Sequence, residues 1–263
     1  MNPSNPVLSP ANTLLLAGMP ENPASMPAWK RAGDMIFALL ALPLLAAATL
    51  LMTAVTSLVS PGPVFFRQQR VGRGGRLLSV LKFRTMRVGA DTAVHQNHFK
   101  GLVASNAPMV KLDAQGDARL IPGGWLLRAT GMDELPQLIN VLRGEMSLIG
   151  PRPCIPNEFE QMTPAQRGRV GAVPGLTGLW QVSGKNRTTF EEMIRLDIHY
   201  AHHVSMLGDL RIVLLTPVAL IVQVSDTFQR RRLAASGPGS RASGSLSAQA
   251  ALRLLAAGGA RTD

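Results

Sequence analysis

Two adjacent carboxylates, Asp133 and Glu134, are the residues whose type and placement most clearly suggest chemistry. They stand at the start of a predicted helix, with Arg128 a short loop upstream. The unpaired N–H groups and the dipole of a helix N-terminus attract anions and keep a nearby carboxylate ionised. Such a pair can act as nucleophile, as base or as metal ligands. On the helix alone an alternative stays open, in which Asp133 only caps the helix and Glu134 faces solvent.

The helix that carries this pair is predicted from the spacing of apolar residues. Four of them recur at intervals of three and four along one face: Leu135, Leu138, Ile139 and Leu142. Pro136 fits only the first turn of a helix, where its missing N–H has no partner to lose. We therefore expect a helix that begins near residues 130–133 and ends around Gly144.

Cations that could meet a phosphate group lie upstream, at the end of a predicted β-hairpin. Residues 64–66 and 77–83 have the composition of short strands, and the glycine-rich turn 72–75 joins them. Lys82 and Arg84 fall at the end of the second strand. Two interpretations stay open for them: a solvated strand end, or contacts to a phosphate or a lipid headgroup.

A membrane segment is predicted between residues 29 and 60. Its central stretch, 35–59, has no charge and is long enough to cross a bilayer as a helix. Lys30 and Arg31 precede this stretch and several arginines follow it, so both ends prefer the cytoplasmic side. Pro43 interrupts the helix and favours a bend. We therefore expect a re-entrant helix that enters and leaves by one face, with a plain spanning helix as the alternative.

The rest of the chain divides into a leader, a domain and a tail. Residues 1–28 are predicted to be a flexible leader and residues 227–263 a disordered basic tail. The domain between them, 61–226, is predicted to be α+β and mostly helical, with the β-hairpin and interfacial helices. Within it, the apolar run 212–224 is interrupted by Pro217. We expect this run to be too short to span a membrane and to lie in the membrane interface or against the core.

The charge balance limits the classes of partner. The chain has 27 basic and 16 acidic residues and a net charge of +11, so anionic partners such as a phospholipid bilayer or a phosphorylated substrate are expected. Aromatic residues are few and do not alternate with the basic ones, which argues against a nucleic-acid partner. Cys154 is the single cysteine, so the chain cannot form an internal disulfide.

A series of short motifs extends over about residues 29–225. They are Lys30-Arg31-x-x-Asp34, Ser60-Pro-Gly-Pro-Val-Phe-Phe-Arg-Gln-x-Arg-Val-Gly72, Lys82-Phe-Arg-Thr-Met86, Asp133-Glu-Leu-Pro-Gln-Leu138, Arg143-Gly-Glu-Met-Ser-Leu-Ile-Gly-Pro-Arg-Pro153, Pro174-Gly-Leu-Thr-Gly178 and Asp209-Leu-Arg211. In order and spacing this series closely resembles the bacterial sugar transferases, the small monotopic phosphoglycosyl transferases that begin polyprenol-linked glycan assembly. The resemblance is closest to the exopolysaccharide-initiating members.

The resemblance implies a reaction and a set of site residues. Asp133 would attack the β-phosphate of a UDP-sugar, release UMP and hold the phosphosugar covalently, and undecaprenyl phosphate would then accept it. Glu134 would assist, and the two carboxylates would hold Mg²⁺. The positions expected to bind substrate are Lys82, Arg84, Arg128, Arg152, Lys185 and Asp209.

The resemblance also implies a location in the bacterial inner membrane, with the catalytic domain on its cytoplasmic face. A homodimer and downstream glycosyltransferases are further expected partners. Galactose or glucose is the expected sugar, and an acetamido sugar remains an alternative. A different class of function also stays open: a non-catalytic basic adaptor of a polysaccharide assembly complex, which would need the positive charge but not Asp133 and Glu134.

The chain departs from the family pattern in two places. Many relatives have Arg where this chain has Lys185, which removes the bidentate contact that a guanidinium makes with a phosphate. Relatives also commonly carry Ser-Pro midway along the membrane segment, where this chain has Ala46 and Ala47. The proline here is Pro43, about one turn earlier, so the helix face of the expected bend is kept while its position changes.

Overall fold

The apolar N-terminal arm consists of two helices rather than one. In the computed structural model, which describes residues 25–90, 101, 105, 107–109 and 117–235, helix α1 is Ala28–Leu40 and helix α2 is Leu42–Val59. Ala41 separates them, and Pro43 lies in the first turn of α2, where its missing N–H is tolerated. The predicted interruption is therefore present, and it falls at Ala41, two residues before Pro43. The part of the predicted leader before residue 25 lies outside the described residues.

The C-terminal helix, α8 (Met206–Ala235), is longer than expected. The expectation that its apolar run is too short to span a membrane was wrong, because the helix continues through Pro217. Helix α2 and the stretch Met206–Arg232 of α8 are both long and apolar enough to cross a bilayer, by length and composition alone. A proline removes one backbone hydrogen bond of the helix, and here the contacts of α8 with the domain stabilise the helix despite this loss. The helix also continues past residue 227, where the tail was expected to begin.

The β-hairpin forms as predicted, with a longer first strand. Strand β1 (Phe65–Val71) pairs antiparallel with β2 (Leu77–Phe83), in a register that sets Phe65 opposite Phe83. The connecting turn Arg73–Gly75 has Gly74 and Gly75 at φ 61° and 71°, left-handed values that glycine adopts without strain. The hairpin therefore holds the Lys82 end of β2 at a fixed place.

A second, separate pair of strands is parallel. Strand β3 (Ser147–Ile149) pairs with β4 (Gly175–Thr177). Just after β3, a Cβ atom at Gly150 would overlap the carbonyl oxygen of Val173, so the two chain segments can approach only because this residue has no side chain. This close approach of the two segments fixes the path of the chain that follows Gly150, which contains Arg152.

Short helices connect these strands and complete a mostly helical α+β fold. They are α3 (Gly124–Thr130), α4 (Gln137–Leu142), α5 (Pro156–Glu160), α6 (Leu179–Val182) and α7 (Phe190–His202). The apolar core around Leu138 and Val141 of α4 also includes Ala38 of α1, Leu45 of α2 and Val80 of β2. The N-terminal arm is thus packed against the same elements that carry the candidate site.

A buried ion pair fastens the arm to the C-terminal helix. Lys30 is 6% exposed, and its Nζ lies 2.5 Å from Oδ2 of Asp209, at the start of α8, and 3.0 Å from the hydroxyl oxygen of Tyr200. The Tyr200 hydroxyl donates to the other carboxylate oxygen of Asp209, at 2.7 Å. A buried charge is tolerated where it is paired and hydrogen-bonded, as both charges are here.

Two neighbouring side chains of α1 fasten it to the domain as well. The Arg31 guanidinium donates to the carbonyl oxygens of Val141 and Leu142, at the end of α4, where carbonyls lack the full set of helical donors. Asp34 accepts the backbone N–H of Leu148 in β3, at 2.9 Å. The Lys-Arg-x-x-Asp motif therefore joins the arm to four separate elements, α4, α7, α8 and β3.

Candidate active site

A tight turn between two helices carries Asp133 and Glu134. Helix α3 ends at Thr130, Gly131 follows at φ 74°, and Met132–Glu134 form a single 3₁₀ turn before α4 begins. The expected continuous helix was therefore wrong. Helix α3 ends just before Gly131 because glycine adopts a left-handed conformation without strain. Helix α4 does not begin before Pro136 because proline has no N–H to donate within a helix. Asp133 is only 6% exposed in this turn.

Lys82 reaches across from the hairpin to this turn. Its Nζ lies 2.7 Å from Oε1 of Glu134, and the two side chains are 17% and 24% exposed. Burial lowers the pKa of Lys82, and the nearby cations Arg152 and Arg70 lower it further, while Glu134 and Asp133 oppose the shift. The charges of Asp133, Glu134, Arg70 and Arg152 therefore all act on Lys82.

Asn140 holds the hairpin in register with the helix that follows the turn. It is fully buried in α4, where its Oδ1 accepts the backbone N–H of Leu81 at 3.1 Å. Its Nδ2 donates to the carbonyl oxygen of Ser79 at 2.8 Å and to Glu145 Oε2 at 2.6 Å. Since Leu81 precedes Lys82, these bonds fix how far Lys82 extends toward Glu134.

Arg70 lies in a motif of the sequence analysis but was not among the expected substrate-binding positions. Burial, followed by the charge of Arg152, lowers its pKa to about 10. Its guanidinium donates to the carbonyl oxygen of Pro153 at 3.1 Å and to the Gln68 side chain at 2.7 Å. In the register of the hairpin Arg70 and Lys82 lie on one face, so strand alternation was the signal that could have found it.

A buried ion pair supports the backbone of Arg152. The Arg169 guanidinium donates to the carbonyl oxygen of Arg152 at 3.0 Å and forms an ion pair of 2.5 Å with Asp197 of α7. Arg169 and Asp197 are 2% and 1% exposed, so they act from beneath the site. The sequence analysis did not identify either residue, because a single buried charge inside a helix or a turn has no local pattern.

Two predicted substrate-binding residues lie elsewhere in the fold. Arg84 is 6% exposed and donates to the carbonyl oxygens of Ser60 and Pro63 and to the Ser60 hydroxyl, so it holds the segment that follows α2. Asp209 is 3% exposed in its pair with Lys30. The structure does not bring either side chain to the Lys82–Glu134 pair, because each is enclosed by these other contacts.

The last two predicted residues, Arg128 and Lys185, lie in α3 and in a 3₁₀ turn after α6. Arg128 lies in the last turn of α3. A hydrogen bond from the Arg119 side chain is the main cause of the lowered pKa of Asp117, and the charge of Arg128 adds a smaller contribution. Lys185 opens the 3₁₀ turn Lys185–Arg187 at φ 40°, a left-handed value that is uncommon for a residue with a side chain.

The acidic pair is suited to a magnesium ion that is bound together with a phosphate. Mg²⁺ in such sites keeps several waters and is held by one or two carboxylates plus substrate phosphates. Asp133 and Glu134 would offer two such carboxylates from one turn. Within the described part of the chain, no group of three or more His, Cys, Asp or Glu side chains is arranged to hold a metal without a substrate.

Comparison with known proteins agrees with the motif pattern. The sequence model of the family described as bacterial sugar transferase matches residues 25–223. The chain is 37% identical to the exopolysaccharide production protein ExoY of Sinorhizobium fredii, over 71% of this chain and 83% of that protein. It is 40% identical to a UDP-glucose:undecaprenyl-phosphate glucose-1-phosphate transferase of Caulobacter vibrioides, over 73% and 69%. It is 45% identical to the galactosyl transferase CpsE of Streptococcus agalactiae, over 59% of this chain but only 34% of that longer protein.

Proposed function

Because the chain belongs to the bacterial sugar transferase family, we propose that it transfers a sugar 1-phosphate from a UDP-sugar to undecaprenyl phosphate and so begins exopolysaccharide synthesis. The names of its relatives support the reaction class and both substrates, with glucose or galactose as the sugar. The observation that carries the proposal is the turn in which a buried Asp133 and Glu134 share one site with Lys82, Arg70 and Arg152.

Asp133 is the proposed nucleophile. One of its carboxylate oxygens attacks the β-phosphorus of the UDP-sugar, and the bond from that phosphorus to the oxygen bridging the two phosphates breaks. UMP leaves with this oxygen and its electron pair, and the sugar phosphate stays on Asp133 as an acyl phosphate. A phosphate oxygen of undecaprenyl phosphate then attacks the same phosphorus, which restores the carboxylate and forms the lipid diphosphate sugar.

The surrounding charges suit this chemistry. Lys82, Arg70 and Arg152 can donate to phosphate oxygens as negative charge shifts to the leaving UMP. Glu134, held 2.7 Å from Lys82, keeps that lysine beside the reacting group. Asp133 and Glu134 would also hold Mg²⁺, which supplies positive charge against the diphosphate. A chelator should then stop UMP release, whereas undiminished release would mean that the Arg and Lys side chains suffice.

We also propose that α1 and α2 form a re-entrant arm in the inner membrane, with the domain on the cytoplasmic face. The basic flanks of the arm, the break at Ala41 and the exposed apolar surface of α2 support this topology. A cysteine introduced at Ser25, in a Cys154→Ser background, should resist an impermeant thiol reagent in intact cells and react after lysis. Labelling in intact cells would mean that the arm spans the membrane.

The experiment for the reaction uses Asp133→Asn, since an amide cannot form the phosphosugar intermediate. The purified protein is placed in bilayer discs with undecaprenyl phosphate, and UMP release from several UDP-sugars is measured. Asp133→Asn should abolish release, while Glu160→Gln, the same change of charge at an exposed position on α5, should retain it. Mass analysis without the lipid acceptor should find the phosphosugar on the wild-type chain and not on Asp133→Asn.

An active Asp133→Asn variant would exclude Asp133 as the nucleophile. A wild-type protein that binds the bilayer but releases no UMP from any UDP-sugar would favour the non-catalytic adaptor instead.

A further inference from the structure

Helix α8 provides hydrogen-bond donors to the end of α3, the helix that leads into the catalytic turn. The Gln223 side chain of α8 donates through Nε2 to the carbonyl oxygen of Ala129 at 2.7 Å and to that of Arg128 at 3.3 Å. These carbonyls belong to the last turn of α3, whose carbonyls have no helical donor because Gly131 ends the helix. Gln223 therefore caps α3 from a distant part of the sequence.

The position of α3 depends strongly on such outside contacts. It is a short helix, Gly124–Thr130, and a left-handed glycine stands at each end, Gly123 at φ 75° and Gly131 at φ 74°. Glycine permits many backbone conformations, so the local sequence does little to fix the direction of the helix. The turn with Asp133 begins directly after Gly131, so a shift of α3 moves the carboxylate.

Further contacts of α8 follow the whole length of α3. Leu220 approaches Gly131 so closely that a Cβ there would lie 3.7 Å from the leucine side chain. At the other end of α3, Phe228 meets the Trp125 ring edge-on with 5.0 Å between ring centres, and the Arg231 guanidinium lies 4.6 Å from that ring. Gln223 lies between these contacts along α8 and donates the hydrogen bonds to α3.

Gln223 also carries a cost that packing alone does not explain. It is 6% exposed, and its Oε1 is buried without a hydrogen-bond partner in the structure. An unsatisfied buried polar atom is unfavourable, and an apolar side chain of similar size would avoid it. The amide is therefore accounted for by its Nε2, which satisfies two carbonyl oxygens at the end of α3.

We propose that Gln223 is a positioning residue, which couples α8 to the geometry of Asp133 by capping α3. This inference rests on the proposed function, since it concerns the nucleophile of that reaction. Helix α8 has Leu210, Leu214 and Ile221 exposed on the side away from the domain, and Asp209, Thr216 and Gln223 in contact with it at intervals of seven residues. Gln223 thus connects this exposed apolar helix to the reacting carboxylate.

The test compares Gln223→Met with Gln229→Met in bilayer discs. Methionine keeps the length and volume of glutamine but cannot donate, and Gln229 is an exposed residue of the same helix. Gln223→Met should lower kcat for UMP release by about 10- to 100-fold, the cost of a small misplacement of a reacting group. KM for the UDP-sugar should stay within about threefold, and the thermal midpoint should match that of Gln229→Met.

Gln223→Glu gives a second readout that does not depend on Gln223→Met folding well. An ionised glutamate at this place cannot donate, but a protonated one can, and burial beside carbonyl oxygens raises the pKa of a carboxyl group. The activity of Gln223→Glu relative to wild type should therefore rise as the pH falls from 8 to about 6. Asp133→Asn and wild type in the same assay show whether the proposed reaction itself holds.

Equal kcat values for Gln223→Met and Gln229→Met would overturn the inference while leaving the proposed function intact. A parallel fall of kcat and thermal midpoint, with no pH dependence in Gln223→Glu, would overturn it too, because the contact would then serve stability alone.

Discussion

Replacing Lys82 by Met should separate activity from stability. In the folded protein burial lowers the pKa of Lys82, which means that folding disfavours its protonated form. This unfavourable contribution is present at neutral pH and is relieved as the pH rises through the lowered pKa, so Lys82→Met removes it. The substitution also leaves Glu134 without this partner, and hydrogen bonds to charged groups contribute about 1.5–3 kcal/mol. Because the two effects oppose each other, we expect the free energy of unfolding to change by less than about 1 kcal/mol.

Activity should respond differently, since no opposing term exists in the reaction. Lys82 contributes one charge-assisted contact to a phosphate group, and its loss at about 1.5–3 kcal/mol corresponds to a fall in kcat/KM of about 10- to 150-fold. The assay is UMP release in bilayer discs, with thermal unfolding of the same preparation. Arg87→Met, which removes a positive charge from an exposed residue shortly after β2, is the control and should retain its activity.

Two results would refute this reasoning. If kcat/KM of Lys82→Met stays within about threefold of the wild type, Lys82 does not meet a phosphate. If the thermal midpoint falls by many degrees in step with the activity, Lys82 mainly stabilises the fold. Its pair with Glu134 then outweighs the unfavourable burial of its charge.

Three other substitutions or treatments test the fold. Lys30→Met should destabilise the protein by about 3–5 kcal/mol because it leaves Asp209 buried without its cation. Adding Asp209→Asn should recover part of the lost stability. A double variant no more stable than Lys30→Met alone would contradict the pairing. Gly150→Ala should lower the thermal midpoint, since its Cβ would overlap the Val173 carbonyl oxygen. An unchanged midpoint would be evidence against the close approach of Gly150 to Val173. Cys154 is buried, which raises its thiol pKa to about 11, so a thiol reagent at pH 8 should label it only on unfolding; labelling of the folded protein would contradict its burial.

Local features of the chain were readable from the sequence. Glycines mark the hairpin turn, and the break near Pro43 follows from a missing N–H. The choice of Asp133 and Glu134 as candidate reacting residues rested on their adjacency and their motif. In each of these cases the decisive interactions act between residues a few positions apart, so a short window of sequence contains them.

Helix boundaries were predicted less well where tertiary contacts override local preference. The apolar spacing of residues 135–142 suggested a helix that begins near residues 130–133, but the chain forms a 3₁₀ turn at Met132–Glu134 and α4 begins only at Gln137. Pro217 suggested an interruption, but α8 continues through it because residues along its inner side, such as Thr216 and Gln223, are bound to the domain. The energy of one lost hydrogen bond is smaller than that of many packing contacts.

The sequence by itself therefore determined the family and the carboxylate pair, and only the tertiary structure decided which cations stand beside that pair. Lys82 and Glu134 are 52 positions apart, and nothing local distinguishes Lys82 or Arg70, which belong to the site, from Arg84, which holds the segment after α2. Charges interact according to their distance in space and their exclusion from water. The fold fixes both quantities, through the register of the hairpin and the burial of Asn140, so the composition of the site became visible only in three dimensions.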